Sequence, residues 1–320
     1  MKHSERRLYA IALSICILTV LSLSVYIFLD IQSEAENGLE YSFLNPDITA
    51  ISIADFEAYQ SSVRVSYVTT RSHVENITRT GTGTYAVYFE DLSSGASFGL
   101  NERAEFAPKS MFKVPTAIAV LKSIEDDQLS MDSEVTLTPE MLDNEFGSLY
   151  LRGAGATITV EDLLYLSMIE SDNTANIALR LTIPFERVER ARLATGVPFP
   201  RANITLYTIS PKAYASVFRS LYLSGYLRRP YSEYLLKLLS STEQDNLIRA
   251  GVPEKVVVAH KIGEDFNADL YHDCGIVYHP ERPYLLCIMS DAPRDEAERV
   301  IREISATVYE RVSLPPAHLR

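Results

Sequence analysis

Ser110 and Lys113 lie three residues apart in an otherwise apolar stretch, APKSMFKVPTAIAVL (residues 107–121). A serine hydroxyl one helical turn from a lysine amine can act as a nucleophile beside its base, because apolar neighbours desolvate the amine and lower its pKa. The simpler interpretation is a lysine that buries its stem and extends its ammonium group to the surface. The short motif S-x-x-K does not decide between the two by itself.

Two further polar motifs follow in chain order. Ser171 opens SDNTAN (residues 171–176), and a serine hydroxyl can pass a proton between neighbouring groups. The alternative for Ser171 is an N-cap role, with a helix that starts near Asp172. Lys261 lies in VAHKIG (residues 258–263), in a stretch that is typical of a strand.

The elements that must position these motifs run in the order strands, helices, strands, helix. Alternation and a Ser-Ser-Gly turn predict a β-hairpin over residues 84–101. The remaining predictions are helices over 110–124, 159–170 (with Thr159 as N-cap), 211–225 and 294–312, and strands over 255–263, 272–279 and 282–290. Strands near both ends of the chain share one sheet only if the middle is an inserted lobe, so we predict an α+β fold.

The three ordered motifs S-x-x-K, S-D-N and K-x-G resemble the signature set of the class A β-lactamase and penicillin-binding family. The resemblance runs from about Thr84 to the C-terminus. It implies a β-lactamase/transpeptidase-like fold, with an antiparallel sheet flanked by helices and an inserted all-α lobe. It also implies a serine hydrolase that opens β-lactam rings through an acyl-Ser110 intermediate.

The resemblance assigns roles to individual residues. It implies catalytic roles for Ser110, Lys113, Ser171 and the backbone N–H of Glu264, and substrate-binding roles for Asn173, Lys261 and Gly263. The N–H groups of Ser110 and Glu264 would form the oxyanion hole. Ser171 would relay the proton to the leaving nitrogen. Lys261 would supply a positive charge for an acidic substrate group and hold Ser171. Asn173 would hold an amide of the substrate, and Gly263 would let the substrate backbone approach the strand edge. His260 is expected to be a structural neighbour of this strand.

The substrate-binding strand departs from the family pattern. Ile262 stands where the family has Thr or Ser, which removes a hydroxyl expected to hold the substrate carboxylate. Glu264 adds a negative charge beside the same place, and residues 272–278 contain no arginine. These changes weaken carboxylate binding and leave the preferred substrate open.

The segment expected to supply the deacylating base departs as well. Class A enzymes carry a Glu on a loop after the S-D-N helix, which activates the hydrolytic water. Here residues 196–211 contain no acid, and Glu186 and Glu189 precede them on a predicted helix of their own. A peptidase or transpeptidase that acts on D-Ala-D-Ala of peptidoglycan stem peptides is therefore an alternative to the β-lactamase. A non-catalytic module that binds cell-wall fragments or β-lactams is another.

The N-terminus predicts a membrane anchor. Residues 8–29 contain no charged side chain and are long enough to span a bilayer as a helix. A cleaved signal peptide is the competing interpretation, but no small-residue cleavage site is clear at the end of the stretch. Lys2, Arg6 and Arg7 precede it, which by the positive-inside rule places the N-terminus in the cytoplasm.

These features predict the organisation of the chain and its location at the cell membrane. We expect a cytoplasmic tail over residues 1–7, a single transmembrane helix over 8–29, an extracytoplasmic stalk over 30–80 and an extracytoplasmic β-lactamase-like domain over 81–320. The net charge of -12 argues against nucleic acid as a partner. The six histidines show no metal-ligand spacing, and we expect neither a metal nor a cofactor.

Cys274 and Cys287 flank a predicted two-residue turn at Pro280 and Glu281, which would place the two cysteines directly opposite each other. An oxidising exterior permits a cross-strand disulfide. Because such bonds are often strained, two unlinked cysteines packed in the sheet are the expectation.

Overall fold

The computed structural model describes residues 41–45, 53–197 and 207–314, with side chains from residue 67 onward in the first long helix. All the elements below belong to the compact unit Ser42–Arg320. Within this described part, no helix is both long and apolar enough to cross a membrane. The predicted anchor over residues 8–29 lies outside the described residues.

A five-stranded antiparallel sheet forms the centre of the fold, in the order β2-β1-β7-β6-β5. Its strands are β1 Thr84–Asp91, β2 Ser97–Leu100, β5 Val258–Asp265, β6 Leu270–Val277 and β7 Tyr284–Asp291. Strands from both ends of the chain thus share one sheet, as predicted. A second sheet pairs β3 Glu134–Thr136 with β4 Thr157–Thr159, in a region where the sequence predicts only helices and loops. Strands of three residues are too short to give a periodic signal.

Eight α-helices accompany the strands among the described residues. They are α1 Ile53–Thr80, α2 Lys113–Glu125, α3 Val160–Met168, α4 Asn173–Thr182, α5 Phe185–Ala194, α6 Pro211–Tyr222, α7 Arg229–Ser240 and α8 Arg294–Val312. The helices α2 to α7 lie between β2 and β5 in the chain and form the predicted insertion. Thr159 caps α3 as predicted, since its hydroxyl accepts the N–H of Asp162 at 3.1 Å.

The helices α1 and α8 cover one face of the sheet and build the main hydrophobic core with it. In α1 the buried side chains are Tyr67, Thr70, Val74 and Ile77, spaced by three and four residues. Residues 67–80 of α1 therefore pack as part of the folded unit, although the sequence places them in the stalk over residues 30–80. The stripe is narrow and lies among polar residues, so its periodicity is weak in the sequence.

The other sheet face meets the inserted helices and carries the cysteines. The register pairs Cys274 with Cys287, and it also pairs Cys274 with Lys261. The two cysteines are buried and joined by a disulfide. The predicted register is confirmed, and the expectation of two unlinked thiols is wrong because the paired positions bring the two side chains together on one face.

Candidate active site

Ser110 lies in a tight turn that leads directly into a helix. The residues Lys109–Phe112 form a 3₁₀ turn, and α2 begins at Lys113 without a break. Pro115 is the third residue of α2, where its missing N–H costs no helical hydrogen bond. Ser110 therefore stands at the N-terminal entrance of this helix, as the sequence predicts.

Buried polar groups hold the backbone on both sides of Ser110. The Tyr214 hydroxyl in α6 donates to the carbonyl of Met111 at 2.7 Å. On the other side, His272 Nε2 lies 3.0 Å from the carbonyl oxygen of Ala107. The other ring nitrogen of His272 accepts the N–H of Ser290 at 3.2 Å, and burial lowers the pKa of His272 to about 4. His272 is therefore neutral and fixed in one tautomer, with its Nε2–H donated to the turn.

The turn before α4 separates the roles of Ser171 and Asp172. Asp172 is the N-cap residue: its Oδ1 accepts the N–H of Ala175, and its Oδ2 accepts the N–H of Leu149, each at 2.8 Å. Ser171 adopts a left-handed conformation with φ of 57°. Its hydroxyl is bonded to lysine side chains, so the N-cap interpretation of Ser171 is wrong.

Two lysine amines converge on the hydroxyl of Ser171. Lys113 Nζ lies 3.1 Å and Lys261 Nζ lies 2.9 Å from Ser171 Oγ. The Lys113 amine also donates to the carbonyl of Ser171 and, at 2.8 Å, to Oδ1 of Asn173. Residues far apart in the sequence thus form one hydrogen-bonded group, which we call the lysine cluster (Lys113, Ser171 and Lys261).

Both amines of the lysine cluster are poised to lose a proton near neutral pH. Burial lowers the pKa of Lys113 to about 8, although the charges of Asp172 and Asp143 partly oppose this shift. Burial and, next, the positive charge of Lys113 lower the pKa of Lys261 to about 7. A neutral amine beside a hydroxyl can accept a proton, which is the chemistry that a serine nucleophile needs.

Asn173 is positioned by a loop that the sequence does not predict. Its Nδ2 donates to Oδ1 of Asp143 at 2.9 Å, and its backbone N–H donates to the carbonyl of Phe146 at 2.9 Å. Gly147 follows with φ of 93°, where a Cβ would lie 2.1 Å from Oδ2 of Asp172. The only signal for this loop in the sequence is the glycine after Asp143–Phe146, which is typical of many turns.

A pocket of about 660 Å³ brings most of the predicted residues together. Ser110, Lys113, Ser171, Asn173 and Glu264 all line it. Lys261 is fully buried and reaches the pocket through Ser171. Gly263 lies against the nucleophile turn, because a Cβ there would stand 2.5 Å from the carbonyl of Pro108. His260 is on the other sheet face, bonded to Asp273.

Glu189, the acid nearest in sequence to the acid-free segment, already has a partner. It lies in α5, and its Oε1 accepts from Nη1 of Arg192 at 2.5 Å. The guanidinium of Arg192 stacks over the rings of Tyr207 and Phe112, at 4.3 and 5.4 Å from their centroids. Phe112 lines the pocket, so Arg192 supports one of its walls.

The fold is an antiparallel sheet with an inserted helical lobe. The pocket contains Ser110 and, beside it, Ser171 bonded to two lysines. These are the features of an S-x-x-K serine acyl-hydrolase. The profile of the Beta-lactamase enzyme family matches residues 69–312, and the chain belongs to this family. The predicted enzyme class, a β-lactamase-like serine hydrolase, is confirmed.

Known proteins show how far this similarity extends. A β-lactamase of Amycolatopsis lactamdurans is 30% identical over 234 residues, which are 68% of this chain and 74% of that protein. The structure of a β-lactamase from Chitinophaga pinensis DSM 2588 is 27% identical, with a TM-score of 0.69 over 77% of this chain and all of that one (100%). The structure of PBP-A, at 21% identity, has a TM-score of 0.68 over 76% of this chain and 96% of its own. The predicted β-lactamase/transpeptidase-like fold is therefore confirmed.

Proposed function

We propose that this protein is a membrane-anchored, extracytoplasmic serine hydrolase that β-lactams acylate on Ser110 and that releases the acyl group slowly. The observation that carries the acylation step is the lysine cluster. Two buried amines with lowered pKa share one hydroxyl in the pocket that Ser110 lines.

The proposed acylation step uses the lysine cluster as its proton relay. Oγ of Ser110 attacks the carbonyl carbon of the lactam, and its proton passes to the neutral amine of Lys113. The ring C–N bond breaks, and Ser171 delivers a proton to the leaving nitrogen. The proton held by Lys113 then returns to Ser171, to which it is bonded. The N–H groups of Ser110 and Glu264 stabilise the developing oxyanion.

Slow release follows from the missing acid. The segment 196–211 contains no carboxylate, and Glu189 beside it is bonded to Arg192. Water near the acyl-serine therefore lacks the carboxylate that this segment supplies in class A enzymes to speed its attack. The same absence supports a second candidate, a peptidase or transpeptidase that passes the acyl group of a peptidoglycan stem peptide to another acceptor.

The location rests on the sequence of the N-terminus. Residues 8–29 are apolar and follow Lys2, Arg6 and Arg7, which supports a single span with the catalytic domain outside. Fractionation followed by protease treatment of intact cells tests this part. We expect a membrane-bound protein whose C-terminal domain is digested from outside, and a protein that is protected in intact cells would contradict the orientation.

Intact-mass analysis with benzylpenicillin tests the chemistry. We expect a persistent adduct of one penicillin per chain, absent in Ser110→Ala, and slow turnover of a chromogenic cephalosporin. Fast turnover with no persistent adduct would show that an efficient deacylating base exists. Release of D-Ala from a stem pentapeptide would favour the peptidase. Neither adduct nor turnover with any of these compounds would favour a binding module.

A further inference from the structure

One wall of the pocket is built from the end of β5 and the residues after it. We call it the β5 wall; it consists of Ile262, Glu264, Asp265, Phe266 and Asn267, all of which line the pocket. The wall carries two carboxyl groups, no hydroxyl and no basic side chain. What a substrate meets here therefore depends on whether cations from elsewhere offset the two acids.

The lysine nearest in position to this wall is already paired. Nζ of Lys109 lies 2.5 Å from Oδ2 of Asp265. Hydrogen bonding from Lys109 is the largest cause that lowers the pKa of Asp265, so this carboxyl group is ionised at neutral pH. The two charges offset each other. The amines of Lys113 and Lys261 are hydrogen-bonded to Ser171. The charge of Lys261 acts on the wall only as a minor cause that lowers the pKa of Glu264.

The neighbouring strand β6 brings no positive charge to the β5 wall. In the register, Gly263 pairs with His272, Glu264 pairs with Tyr271 and Asp265 pairs with Leu270. His272 is neutral, because burial lowers its pKa to about 4. Tyr271 and Leu270 carry no positive charge at any pH.

The helix α8 brings one cation, Arg294, whose charge lowers the pKa of Glu264. Nε of Arg294 is bonded to Oε1 of Glu298 at 2.9 Å, and its guanidinium lies 5.2 Å from the ring centroid of Phe266. Arg294 is therefore paired with an acid of its own and sits over one residue of the wall.

The carboxyl group of Glu264 makes an anion unfavourable at this wall. Burial is the largest cause acting on Glu264, and it raises the pKa of this group. A substrate carboxylate placed beside it would raise that pKa further. Binding an anion here would therefore cost either repulsion between two carboxylates or the uptake of a proton.

We propose that the β5 wall receives an uncharged or cationic group of the substrate, such as an ester or an amide, and disfavours a free carboxylate. Ile262 and Glu264 are then specificity-determining residues, one by lacking a hydroxyl and the other by its charge. This proposal rests on the proposed function, because it concerns the substrate that acylates Ser110.

A competition between benzylpenicillin and its methyl ester tests the proposal. The full-length protein receives both compounds at equal concentration, and intact-mass analysis separates the two adducts, which differ by one CH₂ group. Rates of hydrolysis in buffer alone correct for the different reactivity of the two rings. We expect the ester adduct to equal or exceed the acid adduct. A larger acid adduct would overturn the proposal, whereas no Ser110-dependent adduct with either compound would overturn the proposed function as well.

Two substitutions locate the effect. Glu264→Gln keeps the shape and removes the charge, and we expect it to raise the ratio of acid adduct to ester adduct about tenfold. Ile262→Thr supplies the missing hydroxyl and should act in the same direction. The matched control is Glu281→Gln, the same change of charge on the exposed turn between β6 and β7, which should leave the ratio unchanged.

Two results with the variants would also overturn the proposal. One is an unchanged ratio in Glu264→Gln. The other is a selective loss of the acid adduct in Arg294→Gln, because it would show that Arg294 holds a substrate carboxylate at the wall. Ile262→Thr alters a buried position and can fail to fold. In that case the adduct ratio of the folded Glu264→Gln protein alone decides whether the proposal holds.

Discussion

Two buried polar groups lie on neighbouring residues of β5, and they behave differently. The lysine cluster includes Lys261, and the adjacent His260 pairs with Asp273, which we call the histidine pair. Successive side chains of a strand point to opposite faces of the sheet. One face therefore holds the lysine cluster beside the pocket, while the other holds the histidine pair next to Ile248, whose N–H donates to Asp273.

The partners of each group explain the difference. In the histidine pair, Nδ1 of His260 lies 2.9 Å from Oδ1 of Asp273, and Oδ2 of Asp273 accepts the N–H of Ile248 at 2.9 Å. In the lysine cluster, two amines that carry the same charge meet at one hydroxyl. Asp273 binds both His260 and the backbone of Ile248, and so it fixes that loop to the sheet. Lys261 is buried beside the positive charge of Lys113, and so its amine loses a proton more easily.

The largest effect is expected when the base is removed from the lysine cluster. Lys113→Met keeps most of the volume of the side chain and removes the amine. We expect the rate of acylation of Ser110 to fall by about 10²–10⁴-fold, because general-base catalysis contributes on this scale. Stopped-flow or timed intact-mass measurements with benzylpenicillin give the rate.

The matched control lies on the same helix. Lys122→Met makes the same change in α2 at a partly exposed lysine that pairs with Glu125, and it should leave acylation unchanged. Acylation of Lys113→Met at the wild-type rate would remove Lys113 from the role of base and leave Lys261 or Ser171 to fill it.

The pH dependence of acylation tests the lowered pKa directly. The base must be neutral, so the rate should rise with pH, by about tenfold per unit below the pKa of Lys113, and level off above about 8. Because the two lysines are coupled, the pair loses its protons in two steps and the curve reports both. A rate that stays constant between pH 6 and about 8 would show that the Lys113 amine is not the group that takes the proton.

The motifs S-x-x-K, S-D-N and K-x-G were sufficient to predict the members of the lysine cluster. Apolar alternation and turn residues, which are local signals, were sufficient to predict the sheet closed by both ends of the chain. The predicted strand over 255–263 begins three residues before the start of β5 and ends two residues before the end of β5. Hydrogen-bonded pairing with β6, which a single sequence does not display, sets those limits.

Other features depend on contacts between distant segments. The bond from Asn173 to Asp143 joins a helix to a loop, and Asp172 rather than Ser171 caps that helix while it also binds Leu149. Both serine and aspartate are good N-cap residues, so type and spacing alone do not decide between neighbours. The roles of His272 and Tyr214 beneath the nucleophile turn are equally invisible in the sequence, since each holds a backbone carbonyl.

A smaller effect is expected from the histidine pair, and it should fall on stability. Asp273→Asn replaces one of the two buried carboxylate oxygens with an amide NH₂ group, so it removes the charge and one acceptor from the site shared by His260 and the N–H of Ile248. We expect a loss of about 1–3 kcal/mol in the free energy of unfolding, measured with denaturant. Acylation should change far less than in Lys113→Met, because Asp273 acts only as a minor influence that raises the pKa of Lys261.

The control for this change is Asp269→Asn, at an exposed position in the turn before β6, which should stay within about 0.5 kcal/mol of the wild type. A stable Asp273→Asn protein with much slower acylation would contradict the division into a reactive and a structural group. It would place the histidine pair within the catalytic machinery, acting through the strand that it shares with Lys261.

The smallest expected effect concerns the ion pair between Lys109 and Asp265, which links the two elements around the lysine cluster. Lys109 precedes Ser110, has φ of 51° and meets Asp265 beside Glu264, so the pair joins the nucleophile turn to the end of β5. Both side chains are partly exposed, at 31% and 24%, and such pairs contribute about 0.2–1 kcal/mol. We expect Asp265→Asn to slow acylation a few-fold. The difference in acylation rate between the wild type and this variant should become smaller at high salt. A double-mutant cycle with Lys109→Gln measures the coupling, and a coupling of zero would show that backbone contacts alone hold the turn against β5.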